Sequence, residues 1–245
     1  MAPDLSDTQR HLPFFKRWLK SVLSLPVVVK HVRRILELQD WFIVPTTPEQ
    51  KEIVRLVKRI KREVRMALNN QEAYQIYTTV QKVAKVKGAL AEVGVFKGAS
   101  ARLICRVKGE KKLYLFDTFD GLPPLEKIDE AHFYEGQFAT DFEKVSAFFA
   151  NDPNVIIGRG LFPADTGHIA KDETFSFVHL DVDLYQGTKD CLEYFYPRLA
   201  TGGVILCHDY ATIPGVRKAV DDFFRDKREV VLESSRSQAL IVKVS

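Results

Sequence analysis

Apolar side chains recur at helical spacing near residue 50 and give way further along to short apolar runs. Five of them are three or four positions apart and therefore share one face of a helix: Ile53, Leu56, Val57, Ile60 and Val64. Thr47 stands before Pro48, and Gln50 follows three residues after Thr47, which is the signature of a capped helix start. The pattern predicts a helix beginning at Pro48 and a second helix over residues 71–87.

From residue 89 onwards, short apolar runs alternate with amphipathic stretches. The runs predict strands at residues 89–95, 112–117, 155–158, 175–182, 203–207, 229–233 and 239–244. The stretches between them predict helices at residues 99–108, 141–150, 188–199 and 216–225. Such alternation indicates helices on both faces of a parallel sheet. Because the last two runs are joined too tightly for a crossover, the predicted fold is α/β: a doubly wound seven-stranded sheet, mostly parallel with an antiparallel last strand, after an N-terminal helical extension.

Composition and charge narrow the class of protein. The chain has 245 residues, of which 46% are hydrophobic, enough for a globular core. A formal net charge of +4 is too small to indicate a nucleic-acid partner, and none is expected. The charge is unevenly distributed, with 14 Lys and Arg against 8 Asp and Glu in residues 1–75, and 22 against 24 in the rest. We therefore predict a basic extension over residues 1–75 and a slightly acidic domain over residues 76–245.

The cysteines and the hydropathy indicate which cellular compartment to expect for this chain. Cys105, Cys191 and Cys207 are an odd number without CxxC spacing, which argues against a disulfide framework or a structural zinc site. No run of 18 apolar residues is present, so no transmembrane helix is expected. The first ten residues, MAPDLSDTQR, have no apolar core and do not match a secretory signal. A reduced, cytoplasmic environment is the expectation.

Glycines and an acid follow the first two predicted strands, where a doubly wound sheet binds its ligand. Gly94 and Gly98 permit a tight turn, and Ser100 opens the next helix, whose free N–H groups favour an anionic group. Asp117 ends the second strand, a place where an acid commonly accepts hydrogen bonds from ribose hydroxyls. The spacing favours a nucleoside ligand. The alternatives are a plain strand-to-helix turn for the glycines and a helix cap for the acid.

Acids and a histidine follow the fourth and fifth strands. Because neighbouring parallel strands end at the same edge, Asp181 is expected close to His208 and Asp209. Two carboxylates and an imidazole can hold a divalent metal, which would lower the pKa of a bound hydroxyl. The alternative is that these groups only cap helices and bond to one another. We interpret Asp183 as structural and His179 as a satisfied core histidine.

Five ordered segments between residues 89 and 244 carry a family resemblance: 92–98 (EVGVFKG), 116–123 (FDTFDGLP), 180–185 (LDVDLY), 196–203 (YPRLATGG) and 208–210 (HDY). They resemble the class I S-adenosylmethionine-dependent methyltransferases, and most of all the macrocin O-methyltransferase family, which methylates hydroxyls of sugars and related groups on natural products. The resemblance implies a Rossmann-like fold and an S-adenosylmethionine-binding domain over residues 76–245.

The resemblance also implies a cofactor site. Glu92, Gly94 and Ser100 would meet the methionine end of S-adenosylmethionine, and Asp117 would bind its ribose. The full set of implied cofactor residues is Glu92, Gly94, Phe96, Gly98, Ser100, Asp117, Thr118, Phe119, Gly160, Leu161 and Asp181. Thr118, Phe119, Gly160 and Leu161 are the members expected beside the adenine. Asp181, His208 and Asp209 fall on the metal-ligand positions of the catechol-type relatives.

Two departures from the related enzymes bear on mechanism. His208 replaces an acid, and magnesium prefers oxygen ligands, which leaves Mg²⁺ dependence open. Leu184 replaces a basic lysine, so the general base is unassigned. Freed from a metal, His208 would suit proton abstraction, since its unperturbed pKa is near 6.5. Asp181 and His208 are the predicted catalytic residues.

The expected activity is transfer of a methyl group from S-adenosylmethionine to a hydroxyl of a small molecule, a sugar or a glycosylated natural product. The basic helix over residues 51–65 would favour an anionic acceptor, with a solvated charged face as the alternative. In related enzymes such extensions cover the active site and build oligomer contacts, which implies a lid and a homo-oligomer. The rival hypotheses are a non-catalytic S-adenosylmethionine-binding protein and a nicotinamide-dependent oxidoreductase.

Overall fold

The computed structural model describes residues 46–234 and 236–245. The part of the predicted extension that falls on residues 1–45 lies outside these described residues. Within them, no helix is both long enough and apolar enough to cross a membrane.

Two capped helices precede the sheet in the described part of the chain: α1 at Pro48–Glu63 and α2 at Asn70–Lys82. Thr47 and Gln50 form the predicted capping box at α1, each side chain accepting a hydrogen bond from the other's backbone N–H. A second box caps α2, where Asn69 and Glu72 accept each other's N–H in the same way. The helix predicted over residues 71–87 thus begins one residue earlier, at Asn70, and ends in a short 3₁₀ turn, Val83–Lys85.

The predicted sheet is confirmed within the described residues. Its strands are β1 Ala89–Val93, β2 Leu113–Asp117, β3 Val155–Arg159, β4 Phe175–Leu180, β5 Leu199–Cys207, β6 Leu232–Glu233 and β7 Ala239–Val242. Their order across the sheet is β3-β2-β1-β4-β5-β7-β6. All neighbouring pairs are parallel except those made by β7, which runs antiparallel to both β5 and β6. The order reverses direction between β1 and β4, and that point is where such folds bind ligands.

Helices cover both faces of the sheet and complete a three-layer domain. These helices are α3 Ala99–Val107, α4 Phe142–Phe149, α5 Tyr185–Phe195 and α6 Pro214–Phe224. Ile76, Ile104 and Phe149, from α2, α3 and α4, share one buried apolar cluster with strand residues such as Leu90. Helices α5 and α6 pack on the opposite face. Helix α1 forms an outer layer, packing its apolar stripe against α2 and α3.

The main departure from the predicted boundaries is at the end of β4. The strand was expected to reach residue 182 and the next helix to begin at 188, yet β4 ends at Leu180 and α5 begins at Tyr185. Asp183 takes a left-handed φ of 64°, which turns the chain away from the sheet. The apolar pattern missed this turn because Val182 and Leu184 continue the alternation of a strand. Strand β6 is also shorter than predicted, beginning at Leu232.

Candidate functional site

The sheet register brings the predicted strand-end residues to one edge. Val93 is the partner of Leu180, and Leu180 is the partner of Cys207. The residues that follow are joined by backbone hydrogen bonds, with Asp181 N–H donating to Val93 O (2.9 Å) and His208 N–H donating to Leu180 O (2.8 Å). Asp181 and His208, the first residues after β4 and β5, therefore lie side by side at the edge of the sheet.

A cavity of about 210 Å³ opens at this edge. Nine of the residues expected to form the site line it: Gly94, Phe96, Asp117, Thr118, Gly160, Leu161, Asp181, His208 and Asp209. The other four, Glu92, Gly98, Ser100 and Phe119, are not among its lining residues. Most of the expected residues thus lie in the cavity wall, and the cofactor roles assigned to all of them stay predictions.

Asp117 is held rigidly in the cavity wall. Its Oδ2 accepts the N–H of Phe96 (2.8 Å) and its Oδ1 accepts the N–H of Phe119 (2.7 Å). Burial raises the pKa of Asp117, although these backbone donors act in the opposite direction. Each carboxylate oxygen has two acceptor positions, so both retain capacity for a ligand hydroxyl.

The four residues that do not line the cavity are all buried. Glu92 is fully buried in β1, where its Oε1 lies 2.7 Å from His179 Nδ1. Burial raises the pKa of Glu92, against the effect of hydrogen bonds from His179 and Ser100. Gly98 is the cap residue of α3, and the ring of Phe119 packs edge-on against Phe142 in the core. His179 is the predicted core histidine, with Glu92 as its partner.

Two carboxylates surround one ring nitrogen of His208. Its Nδ1 lies 2.9 Å from Asp181 Oδ1 and 3.0 Å from Asp209 Oδ2, and its Nε2 lies 3.4 Å from Glu72 Oε2. These are ion-pair distances, and neither ring nitrogen has an aligned hydrogen-bond partner among the described residues. Burial alone would lower the pKa of His208, but the charge of Asp181 and the contacts with Asp209 and Glu72 outweigh it and raise that pKa.

This placement argues against His208 as a general base. Carboxylates near both ring nitrogens favour the protonated ring, whereas a general base must be unprotonated. The expectation of a free His208 rests on its unperturbed pKa, because the sequence does not show the acids around the ring, and its catalytic role stays a prediction.

The same cluster fits a divalent cation. One ligand atom each from Asp181, His208 and Asp209 lie within 4.8 Å of one another. The buried Nδ1 of His208 has no aligned hydrogen bond among the described residues, although a carboxylate oxygen of Asp181 and one of Asp209 lie within about 3.0 Å of it, and a cation held between these three groups would satisfy it. Two carboxylates and an imidazole form a donor set that accepts several divalent metals.

Asp183 and Glu72 are the functional candidates that sequence reasoning missed. Asp183 lines the cavity rather than serving only the fold. Burial, followed by the charges of Asp181 and Asp209, raises its pKa well above the ordinary value. Glu72 was not considered, although Asn69 three residues before it is a visible capping-box signal. Its contact with His208 crosses from α2 to the end of β5 and has no signature in the sequence.

Left-handed backbone is concentrated around the cavity. Phe96, Asp183 and Asp209 line the cavity and have φ between 49° and 64°, each directly after a strand or in the turn that follows one. Such conformations cost on the order of 1–3 kcal/mol for residues other than glycine and are concentrated at functional sites. The fold tolerates this strain where the cavity is formed.

The mouth of the cavity is apolar. Phe138 and Leu161 line it while remaining 44% and 41% exposed. The ring of Phe138 lies 6.0 Å from that of Phe96 in an edge-on arrangement. An apolar rim above a floor of carboxyl groups suits a ligand that combines aromatic or aliphatic surface with hydroxyl groups.

Comparison with known proteins gives one family and one fold. The sequence profile of the macrocin O-methyltransferase family (TylF) matches residues 65–235. A Streptomyces olivaceus protein, 8-demethyl-8-(2,3-dimethoxy-alpha-L-rhamnosyl)-tetracenomycin-C 4'-O-methyltransferase, is 34% identical over 154 residues. A Streptomyces niveus protein, demethyldecarbamoylnovobiocin O-methyltransferase, is 30% identical over 154 residues. Each alignment covers 56% of this chain and only 58% of the relative's own length.

Solved structures agree with the architecture. The O-methyltransferase NovP superposes with a TM-score of 0.66 at 24% identity, covering 74% of this chain and 82% of its own. CalS11, a calicheamicin methyltransferase, superposes with a TM-score of 0.60 at 19% identity, covering 82% of this chain and 95% of its own. At these identities the likeness establishes a Rossmann-like methyltransferase fold.

Proposed function

This chain belongs to the macrocin O-methyltransferase family, and we propose that it transfers the methyl group of S-adenosylmethionine to a hydroxyl group of a sugar or glycosylated natural product. The observation that carries this proposal is one cavity that contains both a nucleoside-type wall, with Gly94 and Asp117, and a cluster of acids around His208. The first suits a cofactor and the second suits the hydroxyl that receives the methyl group. The two Streptomyces relatives, both named as O-methyltransferases, support it.

Asp117 is the residue that we assign to the ribose of the cofactor. Its two oxygens are fixed by backbone N–H groups and keep acceptor capacity toward the cavity. Gly94 and Phe96 form the turn beside it, while Gly160 and Leu161 form the wall that we assign to the adenine. Because backbone hydrogen bonds already hold Asp117 in place, the protein would lose little conformational entropy at this residue on binding the cofactor.

Asp181, His208 and Asp209 would hold a divalent cation. When bound, such a cation would supply electrophilic activation, lowering the pKa of a hydroxyl that contacts it. Magnesium is the poorer fit, because the set contains an imidazole and magnesium prefers oxygen. We therefore propose a cation that accepts both oxygen and nitrogen, with Mn²⁺ as the experimental probe.

We assign the proton acceptor to Asp183. Its carboxyl group lines the cavity together with those of Asp181 and Asp209, so it lies at the cluster where the acceptor hydroxyl is expected. His208 is surrounded by acids, and Leu184, at the position of the lysine in catechol-type relatives, is a buried apolar residue. The remaining work of the enzyme is positioning of two reactants, which supplies roughly 7–11 kcal/mol in well-oriented reactions.

The walls favour an uncharged acceptor. Four carboxyl groups line the cavity, from Asp117, Asp181, Asp183 and Asp209. They would repel an anionic group close to them, and a single divalent cation would only partly offset that repulsion. We therefore propose a neutral sugar hydroxyl carried on an apolar aglycone that contacts Phe138.

The segment before residue 76 contributes to the site. Ala67, between α1 and α2, lines the cavity, and Glu72 approaches His208. This supports the proposal that the extension covers the acceptor side of an S-adenosylmethionine-binding domain. The homo-oligomer and the cytoplasmic location stay predictions, the first of which light scattering on the purified chain would test.

A thermal-shift panel tests the cofactor. Bound ligand stabilises the folded state by RT ln(1 + [L]/Kd), about 2.7 kcal/mol at a hundred times Kd. S-adenosylmethionine and S-adenosylhomocysteine are expected to raise the Tm, and NADH is expected to leave it unchanged. Stabilisation by NADH alone would contradict the proposal and favour an oxidoreductase. Stabilisation by S-adenosylmethionine without turnover on any glycosylated acceptor would favour a binding protein.

A further inference from the structure

Glu72 connects the helical segment before the sheet to the acid cluster. Its Oε2 accepts the N–H of Asn69 at 2.9 Å and lies 3.4 Å from Nε2 of His208, while its Oε1 accepts the hydroxyl of Ser237 at 2.6 Å. The side chain is buried, with only 5% of its surface exposed. A buried carboxylate with three partners from three different segments has little freedom to move.

The two ring nitrogens of His208 thus face opposite ways. Nε2 faces Glu72, and Nδ1 faces the space between Asp181 and Asp209. Without a cation, Asp181 and Asp209 lie closer to Nδ1 than Glu72 lies to Nε2, and they favour a proton on Nδ1. A cation bound between Asp181 and Asp209 would take the place of that proton, and the remaining proton of the ring would then lie on Nε2, beside Glu72.

We propose that Glu72 is a positioning residue for a divalent cation: it holds the Nε2–H of His208, so that Nδ1 is presented as a ligand beside Asp181 and Asp209. Glu72 also explains why a histidine is tolerated where related enzymes have an acid, because an acid at position 208 would face the Glu72 carboxylate. The two residues therefore form a matched pair. This inference rests on the proposed cation site and deepens it.

The test is a set of Mn²⁺ affinities, measured by titration calorimetry and by the electron paramagnetic resonance signal of free Mn²⁺, without acceptor or turnover. Glu72→Gln keeps the shape of the side chain and its capping bond but removes the charge. We expect Mn²⁺ affinity to fall about tenfold or more, as is usual when the outer partner of a metal-bound histidine is lost. Asn69→Ala is the matched control, because it removes the helix cap and leaves the carboxylate beside His208.

The effect of Glu72→Gln depends on residue 208 only if Glu72 acts through the imidazole. In a His208→Asp background no ring proton is left for Glu72 to hold, so adding Glu72→Gln is expected to cost much less Mn²⁺ affinity than in the wild-type background. Circular dichroism and Tm of each variant establish that it is folded, and S-adenosylhomocysteine affinity reports on the cofactor pocket independently.

The outcomes distinguish a failure of the cation site from a failure of the role assigned to Glu72. If the unmodified chain binds S-adenosylhomocysteine but no Mn²⁺, the cation site itself fails. If it binds Mn²⁺ and Glu72→Gln binds equally well, or if Glu72→Gln weakens binding to the same extent in both backgrounds, the pairing of Glu72 with His208 is overturned. A loss in the wild-type background that is much smaller in the His208→Asp background, with Asn69→Ala unchanged, supports it.

Discussion

Gly94 lies so close to the backbone oxygen of Asp181 that no side chain fits between them. A Cβ added to Gly94 would come well within 3.0 Å of that oxygen, nearer than real Cβ atoms approach, and Gly94 has a φ of +88°. Gly94 begins the proposed cofactor turn, and Asp181 begins the acid cluster. Their contact therefore fixes the spacing between the two halves of the site.

Replacing Gly94 is expected to damage cofactor binding more than backbone strain explains. Gly94→Ala adds a clash with backbone atoms to the cost of a left-handed alanine, which is about 1–2 kcal/mol. Gly109→Ala is the control, since Gly109 also has a left-handed φ, +60°, yet nothing lies within 4 Å of an added Cβ. S-adenosylhomocysteine affinity should fall sharply in the first variant and stay at the wild-type value in the second. Equal affinities in both variants would refute the spacing argument.

Asp117→Asn tests the assignment of the ribose contact. An amide offers one oxygen where the carboxylate offers two, so either the Phe96 or the Phe119 N–H loses its acceptor. Hydrogen bonds to charged groups contribute about 1.5–3 kcal/mol, so calorimetry should show S-adenosylhomocysteine binding weakened roughly tenfold to a hundredfold. Asp120→Asn, at an exposed acid that pairs with Arg159, should leave the affinity unchanged. Unaltered binding in Asp117→Asn would remove this residue from the cofactor site.

His179→Leu is expected to destabilise the fold. The change leaves the fully buried Glu92 without the ring that lies 2.7 Å from it. Breaking a buried pair typically costs about 3–5 kcal/mol, which denaturant titration measures directly. His132→Leu, at an exposed loop position, serves as the comparison and should stay near the wild-type stability. A loss below about 1 kcal/mol in His179→Leu would show that the pair contributes little.

Gly215→Ala is expected to disturb the loop between β2 and α4. An added Cβ would come well within 3.0 Å of Asp129 Oδ1, and Asp129 accepts the N–H of Tyr185 at the start of α5. Displacing this carboxylate loosens a loop that includes Phe138 in the cavity mouth. The KM for the acceptor should rise while S-adenosylhomocysteine affinity changes little. Asp129→Ala removes the carboxylate that clashes with the added Cβ. If Asp129→Ala has the same defect alone and together with Gly215→Ala, the effect is assigned to Asp129.

Much of the fold and part of the site could be predicted from local patterns in the sequence. Strand–helix alternation gives the sheet, and the carboxyl ends of β4 and β5 give the proximity of Asp181 to His208, because parallel neighbours end at one edge. The capping box at Thr47 likewise depends only on residues three positions apart. These features are encoded by spacing along the chain.

Other features depend on contacts between distant segments. Glu72 and His208 are far apart in sequence, and only the packing of α2 beside β5 brings them together. The turn at Asp183 is hidden by an alternation of apolar residues that resembles a continuing strand. Phe119 is a further case, because its motif predicts a position beside the adenine, whereas its ring packs into the core against Phe142 and does not line the cavity. Side-chain direction at a left-handed residue is not set by spacing.

The fate of a deuterium-labelled methyl group tests directly whether the chain methylates a sugar hydroxyl. The purified chain is incubated with labelled S-adenosylmethionine, Mn²⁺ and a panel of glycosides, and the products are analysed by mass spectrometry and NMR. The account predicts one labelled methyl group on a sugar oxygen and an equal amount of S-adenosylhomocysteine. Tight binding of S-adenosylmethionine with no labelled glycoside, or label on nitrogen or carbon instead of oxygen, would contradict it.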